Sequence, residues 1–171
     1  AGAEAARGEG KELTSIVRDR GGQHDRIGEV REAGARIKLS SDGDLSAGIA
    51  AAVRGTGIHG AMGIGGAPEG VLTAAAMRCL NGRMQGRLRP LEKWQEDRLK
   101  QMGYKDRDKI YDTADLASGD DIIFVATVVT EGDLLRGVGF IGGGHLVSQL
   151  LLALNTHNDR YITPSKQTEN T

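Results

Sequence analysis

A single cysteine, Cys79, stands among 171 residues, so no internal disulfide can form and packing alone must hold the chain together. With no cysteine cluster, the natural setting is a reducing one, cytoplasm or plastid stroma, and Cys79 reads as a core residue. Aromatics are scarce, 4% against 39% hydrophobic overall, which leaves Ala, Val, Ile and Leu to fill the space between helices and a sheet. No run reaches the ~18 apolar residues of a membrane span. The most apolar stretch, Leu146 to Leu154, is strand-length and interrupted by Ser148 and Gln149. A surplus of one charge is also missing. Lysine and arginine number 22 and aspartate and glutamate 23, so nothing general draws the chain to nucleic acid or an anionic membrane. The first residue is Ala1 and nothing after it resembles a secretion signal, so a native start upstream is expected.

What is present reads as one α/β domain over residues 11–154, between an arm at 1–10 without apolar anchors and a polar tail at 155–171. Glu12 to Arg18 is dense in β-branched residues and ends at Gly21-Gly22, which predicts a strand. Ile27, Val30 and Ala33 recur every three residues before Gly34, which predicts a short helix with a glycine stop. A strand over Ala35 to Ser40 leads to the turn Ser41-Asp42-Gly43-Asp44, and Leu45, Ile49, Ala52 and Val53 keep helical spacing after it. Ile58 to Ile64 predicts a third strand. The loop Gly63 to Gly70 opens a helix with two expected buried stripes, Val71, Ala75, Cys79 and Leu72, Ala76, Leu80. Three strand–helix units in a row imply right-handed crossovers and parallel strands covered on both faces. Further on, Arg83 to Pro90 looks extended, Glu92 to Met102 helical with Trp94, Leu99 and Met102, and Ala114 to Ser118 turn-like. Asp121 to Val129 is strongly strand-like, with later strands near Val138 and at Leu146 to Leu154.

Three places could carry chemistry. Glycines between a strand and a helix let backbone N–H groups approach an anion, and the helix N-terminus adds positive potential for a phosphate. The same glycines serve equally well as a plain tight turn, and their spacing is neither a P-loop nor a dinucleotide fingerprint. Glu69, in the first turn of that helix, satisfies the helix dipole or serves a hard divalent cation. Asp42 and Asp44 flank Gly43 at a strand end, where open α/β sheets bind ligands, and they also suit a turn and a helix cap. His24, His59, His145 and His157 show no metal or nucleophile spacing and are not expected to be catalytic. Arg83, Arg87 and Arg89 form a basic cluster able to clamp an anion or simply to face solvent.

The run Glu32-Ala33-Gly34-Ala35-Arg36-Ile37, the turn Ser41-Asp42-Gly43-Asp44-Leu45-Ser46-Ala47, and the stretch Ile58-His59-Gly60-Ala61-Met62-Gly63-Ile64-Gly65-Gly66-Ala67-Pro68-Glu69-Gly70 together resemble class II fructose-1,6-bisphosphatases. The likeness continues through Ala74 to Leu80, Met84 to Leu88, Ile123 to Thr127 and Gly132 to Val138. Ala76 to Gln85 is similar to the cyanobacterial type that also hydrolyses sedoheptulose-1,7-bisphosphate, in the Calvin cycle or gluconeogenesis. The resemblance implies the C-terminal half of a layered α/β sandwich, the half that holds the sugar phosphate. An N-terminal half would supply the catalytic threonine motif and most acidic ligands for Mg or Mn. Carried over by position, Glu69 matches a metal ligand, and Gly66, Asp42, Gly43 and Asp44 match substrate contacts. In the implied reaction the divalent ions neutralise phosphoryl oxygens and activate a water for in-line attack on phosphorus.

One departure bears on binding. Where the family carries a basic residue, Pro, Arg and His after the first strand, this chain reads Arg20-Gly21-Gly22-Gln23, so Arg20 is kept as a substrate contact and the clamp arginine is lost. Losing a buried arginine–phosphate contact costs roughly 2 to 5 kcal/mol of binding. No catalytic residue is assigned. The expectation is a substrate-binding half, inactive alone, that takes a sugar bisphosphate in company with the missing half or a partner chain in an oligomer or larger assembly. The alternative is a truncated non-catalytic relative acting as a structural or regulatory subunit.

Overall fold

The computed structural model describes residues 13–18, 24–40, 44–104, 106, 108–128, 137, 139–141, 144–146, 148–154, 160–162 and 165–167. Its first half alternates as read: β1 (Thr14–Arg18), α1 (His24–Glu32), β2 (Arg36–Ser40), α2 (Asp44–Ala52), β3 (Gly60–Met62) and α3 (Ala67–Cys79). The three strands form one parallel sheet in the order β2-β1-β3. Because β2 and β3 flank β1 on opposite sides, right-handed crossovers place α1 and α2 on opposite faces. Central β1 is covered on both, with Ile16 1% and Val17 0% exposed. At the flanks the cover thins: Leu39 and Met62, the register partners of Val17, are 49% and 57% exposed.

The second half is antiparallel. After β4 (Gln85–Arg87), α4 (Lys93–Gln101), β5 (Ile110–Asp112) and α5 (Thr113–Leu116) come β6 (Ile123–Val128), β7 (Gly139–Ile141), β8 (Gly144–Leu146) and β9 (Ser148–Ala153). Two further strands, β10 (Arg160–Ile162) and β11 (Ser165–Gln167), lie in the polar tail and pair with β9 and β8. The main sheet here runs β10-β9-β6, a second runs β11-β8-β7, and β4 and β5 form a hairpin. The result is α/β, layered as expected: parallel sheet, paired helices α2 and α3, then the β6–β9 sheet.

Helix α2 explains the layering. Ala47 and Ala50 face the parallel sheet and pack with Ile16 and Ile58. Leu45, Ile49 and Val53, four residues apart, face the other way and meet Ala76, Cys79, Phe124, Leu150 and Leu152. Cys79 is buried in that core, as its solitary place predicted, and its Sγ lies 3.7 Å from Ile122 O. β9 alternates buried and half-buried side chains along its length, the period-2 signature of a strand with one face on a core.

Two buried faces differ from expectation. In α3 the buried residues are Thr73, Ala74, Ala76, Met77 and Cys79, whereas Val71 and Leu72, placed in the stripes, are 44% and 48% exposed. Helix contact sets this rotation, because a Cβ on Gly48 of α2 would stand 2.6 Å from Thr73 Cγ2, so the helices touch through their smallest residues and Thr73 faces inward. In α4 no residue is buried, and Trp94 and Met102 are 62% and 74% exposed.

Helix ends are well made. α3 stops with Asn81 at φ 55°, while Gly82 N–H donates to Met77 O at 2.8 Å and Asn81 N–H to Arg78 O at 3.4 Å, the paired bonds of a Schellman ending. α1 ends the same way at Gly34, φ 82°, with Gly34 N–H on Arg31 O and Ala35 N–H on Val30 O.

Gly48→Ala is expected to destabilise the fold by roughly 1 to 3 kcal/mol, since Thr73 is β-branched, buried, and tied by its hydroxyl to Glu69 O at 2.8 Å. Thr73→Ser removes the clashing methyl, so thermal melts of the double variant should recover most of the loss. Additive losses would refute the contact as its cause.

Candidate functional site: the carboxyl edge of the parallel sheet

Three parallel strands send their carboxyl ends to one edge. Arg18 of β1 pairs with Ser40 of β2, and Val17 with Met62 of β3, so the three chains leave the sheet level with one another. In the order 2-1-3 the connections run to opposite sides of β1, and in open α/β sheets the carboxyl edge beside such a reversal is where ligands bind. The topology thereby gathers the segments singled out in the sequence. Residues 19–23, with Arg20, follow β1; residues 41–43, with Asp42 and Gly43, follow β2; Gly63 to Gly66 follow β3. Arg20, Asp42 and Gly43 lie outside the described residues. Asp44 is the first residue of α2, where a cap was expected.

The part that is described is the β3–α3 turn. Gly66 is the N-cap of α3 in an extended conformation, φ −68° and ψ 145°, so it is not glycine for want of an unusual torsion. Close approach requires it. A Cβ there would stand 2.8 Å from Glu69 Oε2, because Gly66 N–H donates to that oxygen at 2.7 Å. The first helical bond runs from Gly70 N–H to Gly66 O at 3.1 Å. Pro68 has no N–H, which leaves the amides of Ala67 and Glu69 at an exposed helix start without helical acceptors. Thirteen residues of α3 add their dipole behind them.

The arrangement thus offers an anion two amides and a helix N-terminus, with one carboxylate anchored beside them. Among the described residues no group of three or more His, Cys, Asp and Glu side chains could hold a metal ion, so Glu69 belongs to no complete ligand set there. Glu69 therefore fulfils the structural role first, closing its own helix.

The other candidates sort by position. His59 belongs to the opposite, amino edge: its N–H donates to Thr14 O at 2.8 Å and its Nδ1 accepts from Thr14 N–H at 3.1 Å, stapling β3 to the start of β1. That is a structural role. Arg87 pairs with Asp108 at 3.7 Å on the β4–β5 hairpin, both side chains at least half exposed. The hairpin passes beside the start of α3, since a Cβ on Gly70 would meet Met84 Cε at 3.8 Å. Sequence reasoning did not find what holds the hairpin there. Met84 and Thr113 exchange two hydrogen bonds, at 2.8 and 3.1 Å, and Arg78 of α3 donates to Ala117 O and Gly119 O at 2.7 and 2.6 Å. An arginine in the last turn of a helix was the only signal, and it reads as solvated until the partner carbonyls are seen.

A parallel sheet followed by a glycine-rich strand-to-helix turn at its carboxyl edge defines an α/β protein. The comparisons with known proteins narrow this. The family described as "Bacterial fructose-1,6-bisphosphatase, glpX-encoded" matches residues 1–166, and the chain belongs to that family. A protein named D-fructose 1,6-bisphosphatase class 2/sedoheptulose 1,7-bisphosphatase from Synechococcus sp. (strain JA-2-3B'a(2-13)) is 44% identical over 173 residues, covering 94% of this chain and 50% of the relative. Relatives of the same name from Crocosphaera subtropica and Trichodesmium erythraeum are 42% and 43% identical, each over 89% of this chain and 48% of their own length. The chain spans about half the length of the relatives it matches.

Gly66→Ala is expected to displace the Glu69 carboxylate and cost roughly 0.5 to 2 kcal/mol, the range for losing a helix N-terminal bond. Glu69→Gln keeps an acceptor oxygen and should cost less. Chemical denaturation of the two variants checks the order, and a larger loss for Glu69→Gln would contradict it.

Proposed function

We propose that this chain is the sugar-phosphate-binding half of a fructose-1,6-/sedoheptulose-1,7-bisphosphatase, a phosphomonoester hydrolase, and that it binds without turning over when alone. The observation that carries this is the exposed start of α3 at the carboxyl edge of the parallel sheet, where the amides of Ala67 and Glu69 have no helical acceptors. Family membership supplies the ligand class. In this reading the amides hold one phosphate, Arg20 adds charge from the loop after β1, and Asp42, Gly43 and Asp44 take sugar hydroxyls from the loop after β2. Gly66 contributes backbone, and Glu69 contributes one ligand toward Mg or Mn. Such an ion, once fully coordinated, would supply charge neutralisation at the phosphoryl group. The described residues hold no group of three or more side chains that could complete its coordination, and the role of this chain is to position the phosphate and orient the sugar.

A second reading, a non-catalytic structural or regulatory subunit, draws on the same lack of a complete ligand set among the described residues. Amide NMR titration with fructose-1,6-bisphosphate separates the two. Saturable shifts centred on Gly66, Ala67 and Glu69 are expected, with affinity falling at least tenfold at high salt because phosphate contacts are electrostatic. Absence of shifts at millimolar ligand would sink the substrate-binding reading and favour the structural one. In parallel, no phosphate release is expected from the isolated chain with Mn present; turnover would overturn the claim that it is inactive alone.

A further inference from the structure

Strand β3 is three residues long and, among the described residues, pairs only with β1. Its ladder holds three register pairs, Ser15 with Gly60, Ile16 with Ala61 and Val17 with Met62. Ala61 and Met62 are exposed, as is His59 before them. A strand so short and so open lies at the low end of local stability. Yet the β3–α3 turn, with Gly66, begins one residue beyond it and takes its place from it.

His59 extends this ladder at the amino edge. Its backbone N–H donates to Thr14 O at 2.8 Å, and its ring Nδ1 accepts from Thr14 N–H at 3.1 Å. The ring thus stands where a backbone carbonyl would, and a single residue closes two bonds on Thr14. A carbonyl accepts at every pH. An imidazole nitrogen accepts only while unprotonated, and histidine is the side chain that changes charge between about pH 5 and about pH 8. Protonation makes Nδ1 a donor facing the Thr14 donor, and the bond is lost.

We propose that His59 is a positioning residue whose neutral ring latches β3 to β1, so that the placement of the β3–α3 turn depends on pH. The sign follows from the bond: the latch is closed in the neutral form and opens as pH falls. β3 packs on β1 and α2, with β2 and α1 beyond β1. Of the charged groups on these elements, Arg18 and Asp44 lie at the opposite, carboxyl edge. Arg36, the register partner of Thr14, Glu32 at the end of α1 and Arg54 just past α2 belong to the amino edge, and Lys38 lies one rung pair inward. Lys11 and Glu12 lie outside the described residues. Among the described residues the ring has Thr14 as its hydrogen-bond partner and no ion pair, so no second contact holds it once that bond is gone. The latch acts at the opposite end of β3 from the turn and does not depend on what the turn binds.

Amide hydrogen exchange and NMR on the full chain without ligand test this across the histidine range, from about pH 8 to about pH 5. In wild type the protection factors of the Thr14 and Gly60 to Met62 amides should fall roughly two- to tenfold on acidification, the equivalent of one net hydrogen bond. The Gly66 and Ala67 amide shifts should move along the titration curve of the His59 ring. His59→Asn places a neutral oxygen acceptor where Nδ1 stood, and that oxygen does not take up a proton in this range. Its protection should therefore match neutral wild type throughout, and its turn amides should lose the component that follows His59. Any part due to the Glu69 carboxylate, bonded to the Gly66 amide, persists in the variant and separates from the latch. Wild-type protection that ignores pH, turn amides that do not follow the His59 titration, or His59→Asn that keeps the pH response or stays open at every pH would each overturn the proposal.

Discussion

Helix α2 is the wall on which both cores are hung. Its Ala47 and Ala50 close the parallel sheet on one side, and its Ile49 closes the antiparallel sheet on the other, one residue apart in sequence and on opposite sides of the helix. The wall must also be thin, since Gly48 lets Thr73 of α3 come closer than any other side chain at that position would allow. That contact sets the rotation of α3, and α3 carries the β3–α3 turn at its head and Arg78, the anchor of the later loop, near its foot. The site and the second sheet therefore take their positions from one glycine-sized gap. Neither core is complete without α2, so the two sheets are expected to belong to one cooperative unit.

Much of this was legible in local patterns. Strand–glycine–helix punctuation located all six elements of the parallel half, because torsional signals such as Gly34 and Asn81-Gly82 act within a few residues. The rotation of α3 was not legible, as Val71 and Leu72 look more like core than Thr73 and Ala74 until a neighbouring glycine is seen to pull the small side inward. Nor was the β4–β5 hairpin, whose support is a pair of bonds between Met84 and Thr113, 29 residues apart. Of the candidate site, Gly66 and Glu69 emerge in contact and Asp44 heads its helix. Arg20, Asp42 and Gly43 lie in segments outside the described residues, with the strand ends beside them on the expected edge.

A chain matching about half of each relative presents one anchored carboxylate at the β3–α3 turn and, among its described residues, no group of three or more side chains able to hold a metal. The substrate side of such a protein can be built from backbone amides and a helix end, which a single βαβ unit supplies. A cation site needs several charged side chains brought from separate places, which it does not.

The bond between Glu69 and the Gly66 amide has an electrostatic corollary. A helix end by itself carries about half a positive charge, whereas a carboxylate pinned within its first turn brings a full negative one. To an approaching phosphate the pinned carboxylate offsets much of the attraction of the helix end, so the amides supply geometry and positive charge brought from elsewhere supplies most of the pull. Selectivity at such a place depends on that second charge lying where the amides already aim the phosphate.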